Sequence, residues 1–337
     1  MNIYINTNKI SENYFECFLE GINKLFIILD DKSDFSDSNI FSSIEEIENK
    51  STNSSITSDA NIKVESIKQL EYNKINSHSI VSISLNHENL KSISIFNDYE
   101  LTNLKKLELR GNNIIDISPL LNSSLYLLEE VDLEDNEIDN KCIDVLKKVK
   151  MDFLYDLNLY KNKIATIKIF EISGNLKSLK ILYIGYNPLS EDKMKTNKKE
   201  YLLPNALDEL GLTANFNNES IYFIRFLNLE NLKILYLNNN YLTSLKCIKI
   251  FYFLRLEEFW ATENLLTDIN EIENINNKKT IKKICLNGNK ISVIDDKFLN
   301  LLVKFTKLTT INLKNNPVSK NDEMIKIIRN AGVKVDI

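Results

Sequence analysis

The chain has 337 residues and a formal net charge of −5, with 43% hydrophobic and 26% charged residues. This composition is typical of a soluble fold, and the sequence has no basic cluster large enough to indicate a nucleic-acid-binding surface. No uncharged apolar stretch reaches 18 residues, no secretory signal is visible, and the four cysteines are scattered singly. We therefore expect a protein of the cytoplasm or nucleus with no membrane contact.

Residues 1–79 are predicted to form an N-terminal helical cap that includes an acidic, low-complexity loop. Behind the possible N-cap Ser11, apolar residues recur at helical spacing from Tyr14 to Leu25. We expect this amphipathic helix to cover the open end of the domain that follows. Residues 31–61 are rich in Ser, Asp and Asn without periodicity, which favours a mobile loop. Residues 62–79 regain apolar spacing, either as a helix or as a degenerate first coil.

Residues 80–337 repeat an eleven-residue frame, LxxLxLxxNxL, which is clearest in LEEFWATENLL at residues 256–266. The frame can be placed about ten times, and its asparagine recurs at steps of 24 to 28 residues. This period predicts a leucine-rich-repeat horseshoe, an α/β solenoid with a concave parallel sheet and an irregular or helical convex side. Helices are predicted at residues 142–150 and 297–305. A final helix and strand are predicted to cap the C-terminal end.

The repeated asparagine is predicted to be structural. Where each strand ends, the chain turns and would leave buried N–H and C=O groups unpaired, and an inward amide side chain can both donate and accept. This scaffold role explains the residue without catalysis or glycosylation. The structural asparagines predicted in this way are Asn112, Asn136, Asn162, Asn187, Asn215, Asn240, Asn264, Asn289 and Asn316.

The second, third, fifth, seventh and eighth residues of each frame are expected to face away from the interior and to align into a concave surface. The chain's only tryptophan shares the fifth column with two tyrosines and Cys285, and Thr262 is also expected to be exposed. Aromatic residues among acidic ones are typical of a binding hot spot for a partner with a basic surface. The predicted partner-binding residues are Trp260, Glu258, Glu257, Glu263, Tyr236, Tyr183, Tyr186, Tyr160 and Asp132.

Catalytic chemistry has little support in the sequence. The histidines are His78 and His87, and no nucleophile motif, glycine-rich phosphate loop or HExxH pattern is present. No cluster of ligand-type residues has metal-site spacing. We therefore expect no catalytic residues, no metal and no cofactor, and interpret the chain as a non-enzymatic scaffold that binds a protein.

The repeats identify the chain as similar to the leucine-rich-repeat superfamily over residues 80–337. Within it, LEEFWATENLL followed by TDINEIEN resembles a late repeat of regulatory subunit 7 of protein phosphatase 1. That resemblance implies a phosphatase regulator in which Glu258 and Trp260 contact the catalytic subunit of protein phosphatase 1. The coils of that family are close to 22 residues, whereas these are longer. A leucine-rich-repeat light chain of axonemal dynein and the tubulin-folding cofactor E have similar features. The alternatives are therefore a tubulin-folding or cytoskeletal adaptor, or another enzyme regulator or effector with an unknown partner.

Overall fold

The computed structural model of the chain describes the following residues: 13–19, 22–29, 61–121, 124–146, 148–166, 176–189, 207–214, 216–249, 251, 253–318 and 323–337. The chain divides into two compact units, Met1–Ala60 and Asn61–Ile337. The predicted acidic loop, apart from Asn61, and the predicted role of Asn215 lie outside the described residues.

The first unit contains two antiparallel strands, β1 (Asn13–Leu19) and β2 (Ile22–Leu29), which pair from Asn13 with Leu29 to Leu19 with Ile22. The helix predicted for this stretch is therefore wrong. Both segments are rich in aromatic and β-branched residues, which favour strands, and only two residues separate them, which is a common length for a hairpin connection. The role of this unit as a cap stays a prediction.

The second unit is built on one sheet of twelve parallel strands that follow each other in sequence order. The sheet begins at Ile62 rather than at residue 80, because residues 62–79 form a first coil. Its strands are β3 (Ile62–Val64), β4 (Ile80–Ser84), β5 (Lys106–Glu108), β6 (Glu130–Asp132), β7 (Asp156–Asn158), β8 (Ile181–Tyr183), β9 (Glu209–Gly211), β10 (Ile234–Tyr236), β11 (Glu258–Trp260), β12 (Lys283–Cys285), β13 (Thr310–Asn312) and β14 (Lys334–Asp336).

Each coil buries the same frame positions. In the coil of β5, Leu104, Leu107, Leu109 and Ile114 are each at most 1% exposed. In the three-residue strands β5 to β14 the middle residue is buried, whereas most of the residues on either side of it are half-buried on the opposite face. Burying one such leucine stabilises the fold by roughly 1.5 to 3 kcal/mol. Stacking of the coils thus produces a continuous apolar interior and leaves the concave face free for other side chains.

The segments between strands are short helices and turns. Four α-helices are described: α1 (Ile67–Tyr72), α2 (Asn140–Leu146), α3 (Asp296–Leu302) and α4 (Glu323–Asn330). Helices α2 and α3 lie where the sequence predicts them, and α4 followed by β14 matches the predicted C-terminal helix and strand. Other connections use 3₁₀ turns, such as Ile269–Asn274. None of the helices in the described ranges is long and apolar enough to cross a bilayer.

The frame asparagines connect neighbouring coils. The Asn240 side chain donates to the carbonyl oxygens of Leu212 (3.0 Å) and Leu237 (2.9 Å) and accepts from the N–H of Phe216 (2.8 Å). The same donor and acceptor pattern is present at Asn112, Asn136, Asn162, Asn187, Asn264, Asn289 and Asn316. Each asparagine therefore satisfies backbone groups of the preceding coil as well as its own.

The residue before each frame asparagine, or before Glu88 at the same frame position in the coil of β4, has a left-handed backbone. Its φ is positive in ten consecutive coils, at +60° for His87, +67° for Gly111 and +50° for Glu263, for example. A Cβ atom added to Gly111 would lie 2.1 Å from Nδ1 of His87, so the imidazole of one coil occupies the space above the glycine of the next. This turn leads the chain away from the sheet after strands β4 to β13.

Candidate protein-binding surface

Three aromatic side chains on the concave face form a row, which we call the aromatic row. It consists of Tyr183 in β8, Tyr236 in β10 and Trp260 in β11. The ring centroids of Tyr183 and Tyr236 are 6.2 Å apart, and those of Tyr236 and Trp260 are 5.6 Å apart. All three side chains are half-buried, so they are held by neighbours and still accessible. Tilted rings at these distances attract each other, which fixes their orientation before any partner arrives.

Trp260 is held by three neighbours, the ring of Tyr236, Glu258 and Lys283. Its indole N–H donates to Oε2 of Glu258 (3.0 Å), and the ammonium of Lys283 lies 4.1 Å from the ring centroid. Lys283 also forms an ion pair with Glu258 at 3.6 Å. The cation is thus attracted both by the ring face and by the carboxylate. A partner that contacts Trp260 meets an ordered indole with its polar group already satisfied.

Gly211 makes the contact between Tyr183 and Tyr236 possible. It lies in β9, between the strands of the two tyrosines, in register with both. A Cβ atom at this position would lie 2.4 Å from Cδ1 of Tyr183. The absence of a side chain therefore lets the Tyr183 ring lie across β9 towards Tyr236. The Tyr183 hydroxyl donates to the carboxylate of Glu209, which lies in β9 with Gly211.

Two aliphatic side chains extend the aromatic row. Ile181 and Ile234 lie on either side of Glu209 in the sheet register, and both are half-buried on the concave face. Burial raises the pKa of Tyr183 and Tyr236, with Glu209 a further cause, and the pKa of Tyr236 reaches about 12. Both hydroxyls are therefore neutral at physiological pH. The charged groups nearby are Glu209 beside the two tyrosines, Glu258 and Lys283 beside Trp260, and Lys180, Asp208 and Lys233 around the two isoleucines.

A group of carboxylates, the acidic set, lies on strands β5 to β7 or directly after them. It consists of Glu108, Glu130, Asp132, Glu134 and Asp156. Two cations contact it within the described part of the chain. Lys106 lies 2.9 Å from Glu108 and 3.1 Å from Glu130, and Arg110 lies 2.9 Å from Glu134. Five carboxylates thus face two cations, so this part of the concave face is negative.

The pKa values within the acidic set reflect its crowding. Burial raises the pKa of Asp156 to about 6, and Glu130, Glu209 and Asp132 raise it further by repulsion. Burial also raises the pKa of Asp132. The pKa of Glu130 is lowered, first by the hydroxyl of Tyr155, which donates to it at 2.6 Å. Asp156 consequently releases its proton with difficulty.

The fold of the chain is similar to that of solved leucine-rich-repeat structures. The chain aligns with FLRT2 (LRR), solved in a complex with latrophilin 3 and Unc5D, at TM-score 0.52 and 18% identity, covering 77% of this chain and 76% of that one. An internalin (inlF) from Listeria monocytogenes aligns at TM-score 0.49 and 18% identity, over 89% and 94% of the two chains. No protein-family model and no curated protein sequence matches. The fold is a leucine-rich-repeat solenoid.

The other predicted residues lie at the borders of the leucine-rich-repeat sheet. Tyr160 and Tyr186 form a separate pair with centroids 5.9 Å apart, at the end of their strands. Glu257 lies at the opposite end of β11 and forms an ion pair with Lys282 at 2.6 Å. Glu263 is exposed in the left-handed turn, and a Cβ atom on Gly288 would lie 2.1 Å from its Oε1. These residues frame the aromatic row and do not belong to it.

Two side chains expected on the exposed concave surface are buried. Cys285 is 1% exposed and Thr262 is 9% exposed, although both occupy frame positions that point away from the leucine interior. Burial raises the pKa of the Cys285 thiol to about 11. Cys285 lies in register between Trp260 and Asn312, so a larger side chain flanks it on each side. Cys285 therefore does not contribute a reactive thiolate to the leucine-rich-repeat face.

Sequence reasoning missed Lys283, Ile181, Ile234 and the role of Gly211. The frame does place all four at outward positions, so the signal was available. Aliphatic residues in strands are usually read as interior, and a lysine as solvated, unless the register of the neighbouring strand is known. Within the described ranges, no group of three or more His, Cys, Asp or Glu side chains could hold a metal ion.

Proposed function

We propose that this leucine-rich-repeat protein is a non-enzymatic scaffold that binds a protein partner through the aromatic row on its concave face. The observation that carries the proposal is the ordered contact of Tyr183, Tyr236 and Trp260 across four adjacent strands. Half-buried aromatic side chains of this kind dominate the free energy of many protein interfaces. Because their rings are already held in place, little conformational entropy remains to be lost on binding.

A second support comes from the comparison of folds. The FLRT2 repeat domain, whose fold this chain shares, was solved in a complex with two other proteins. The repeat solenoid presents a long concave surface made of short strands, and such surfaces suit the recognition of another chain. The negative acidic set beside the aromatic row favours a partner whose surface carries positive charge.

The first named candidate is the catalytic subunit of protein phosphatase 1, which would make this protein a phosphatase regulator. This choice rests on the resemblance of LEEFWATENLL and places Trp260 and Glu258 at the contact. A tubulin-folding or cytoskeletal adaptor is the alternative, with another regulated enzyme as a third. The proposed location is the cytoplasm or nucleus. It is supported by the three described cysteines, Cys142, Cys247 and Cys285, which are buried free thiols.

The test is a binding titration with purified catalytic subunit of protein phosphatase 1, by isothermal titration calorimetry. Trp260→Ala is expected to weaken binding by about 30- to 1000-fold, because buried aromatic anchors contribute about 2 to 4 kcal/mol. The matched control is Tyr126→Ala, which removes an exposed aromatic side chain from a connection between strands. Equal affinity of wild type and Trp260→Ala would place the phosphatase contact elsewhere.

If the phosphatase does not bind, the same pair of variants is applied to tubulin and then to a partner identified by cross-linking in cells. Glu258→Lys provides a second readout, since reversing its charge is expected to slow association most at low salt. A partner whose binding is unchanged in both Trp260→Ala and Glu258→Lys would refute the concave face as the binding site.

A further inference from the structure

The acidic set and the aromatic row lie on one face at a defined separation. The set is centred on β6 and the row on β10, and four strand intervals separate them. Neighbouring strands are about 4.8 Å apart, so the two centres are about 19 Å apart along the sheet. The intervening face carries Asn158, Ile181 and Glu209, and Lys180 and Lys233 lie beside Glu209, where Lys233 is paired with Asp208 at 2.8 Å.

We propose that the concave face binds one extended segment of the partner, with a basic cluster and an apolar cluster whose centres are about six residues apart. This inference rests on the proposed function and adds the chemistry and spacing of the partner. An extended chain advances about 3.3 Å per residue, so about 19 Å corresponds to six residues. The basic cluster lies on the acidic set, and the apolar cluster lies on the aromatic row.

Charge complementarity supports the basic end of this segment. Lys106 and Arg110 are the only cations among the described contacts of the five carboxylates in the acidic set. Mutual repulsion and burial already hinder ionisation of Asp156. A guanidinium or ammonium group brought to this place relieves that repulsion, which a neutral or acidic segment does not do. Arginine is favoured because its planar group can bind two carboxylate oxygens at once.

The shape of the aromatic row supports an extended segment rather than a broad surface. The row presents single side chains, one each from β8, β10 and β11, along a line that crosses the strands. A chain that runs along this line meets a new strand about every 4.8 Å, which is between one and two of its own residues. Ile181 and Ile234 provide further apolar contacts beside the line.

The test uses fluorescein-labelled synthetic peptides and fluorescence anisotropy at 50 mM salt. The first probe has three arginines, three alternating Gly and Ser residues, and Leu-Trp-Leu, and it is made in both chain directions. The second lacks the three-residue spacer, and the third has glutamates in place of arginines. We expect the first probe to bind in at least one direction. The second and third are expected to bind at least tenfold more weakly.

Variants of the protein then test which part of the concave face binds each end of the first probe. Glu130→Gln combined with Asp156→Asn is expected to weaken the first probe at least tenfold at 50 mM salt, with a smaller effect at 500 mM. Both substitutions keep the shape of the side chain, and circular dichroism verifies folding. The control combines Glu100→Gln with Glu230→Gln, which neutralises two exposed carboxylates in connections between strands. Trp260→Ala is expected to weaken every probe that carries Leu-Trp-Leu and binds measurably.

The outcomes separate this inference from the proposed function. If the acidic-set double variant behaves like its control while Trp260→Ala weakens binding, the acidic set does not bind the basic cluster. The aromatic row then remains the binding site of the apolar cluster. Equal binding of the probes with and without the spacer overturns the six-residue spacing. If no probe binds, the inference fails, and the titration with phosphatase decides the proposed function alone. Binding that neither Trp260→Ala nor the acidic-set variant changes overturns both.

Discussion

The asparagine ladder leads to a quantitative prediction for Asn240→Ala. The side chain is 3% exposed and makes three hydrogen bonds, to the carbonyl oxygens of Leu212 and Leu237 and from the N–H of Phe216. Alanine cannot replace any of them, and the three backbone groups lie in the interior. At about 1 kcal/mol net for each bond, we expect the free energy of unfolding to fall by about 3 kcal/mol.

Urea unfolding followed by circular dichroism measures this loss. Because repeat arrays can unfold in parts, amide hydrogen exchange at Phe216 adds a local readout, and its protection is expected to decrease in the variant. The control is Asn103→Ala, which removes one exposed hydrogen bond to the carbonyl oxygen of His78 and is expected to cost less than about 0.5 kcal/mol. A loss at Asn240 no larger than at Asn103 would refute the idea that the buried asparagines hold the coils together.

Three further predictions concern the concave face. Folding raises the pKa of Asp156 to about 6, so the folded protein holds this proton more tightly than the unfolded chain does. The free energy of unfolding therefore falls as the pH rises from about 4 to about 6 and stays lower above that range, whereas below about pH 4 Asp156 has no such effect. Asp156→Asn should thus stabilise the protein at pH 7 by on the order of 1 kcal/mol, a value reduced for solvent screening, and should give no gain at pH 4 in urea unfolding; destabilisation at pH 7 would contradict this sign. Gly211→Ala should displace the Tyr183 ring, lower stability by about 1 to 3 kcal/mol and alter the near-ultraviolet circular dichroism, whereas an unchanged spectrum and urea midpoint would show that the ring does not need this space. Iodoacetamide at pH 8 should modify Cys285 at least tenfold more slowly in the folded than in the unfolded protein, as measured by mass spectrometry of its peptide, because the thiol is buried with a pKa of about 11; equal rates would refute this.

The repeat frame made most of the second unit predictable. Strands β4 to β13 lie within the frames read from the sequence, because the leucine positions and the asparagine specify the same turn in each coil. For the first coil the sequence left a helix and a degenerate coil as alternatives, because Ile62–Val64 is followed by a helix and carries no frame asparagine. The frame thus locates strands only where its turn chemistry is present.

The N-terminal unit shows the limit of periodicity. Tyr14, Phe15 and Phe18 have helical spacing, yet they lie in β1, which pairs with β2. In so short a stretch, three or four apolar residues fit the period of a helix as well as that of a strand. Which of the two forms depends on whether a second strand is nearby to pair with. A prediction based on one segment contains no information about its partner.

The candidate site was predictable in its residue types and only partly in its contacts. The column of Tyr183, Tyr236 and Trp260 follows from counting positions in the frame. The contact between the Tyr183 and Tyr236 rings across β9 depends on Gly211, and the cation on the face of the Trp260 indole comes from Lys283. Predicting either contact requires side-chain geometry, which frame positions do not give. Cys285 illustrates the reverse case, since its position is outward but its neighbours cover it.

The left-handed turn before each frame asparagine also has a consequence for engineering the protein. Glycine occupies this position in only two of the ten coils, where His87 and Glu263 lie above Gly111 and Gly288. Elsewhere L-residues such as Ala214 and Lys161 hold a φ of +74° and +55°. A left-handed φ costs an L-residue roughly 1 to 2 kcal/mol, which glycine avoids. Part of that gain is lost because glycine also raises the conformational entropy of the unfolded chain. Glycine substitutions at turns such as those of Ala214 and Lys161 should add nearly independently, so thermostable variants are accessible without altering the aromatic row.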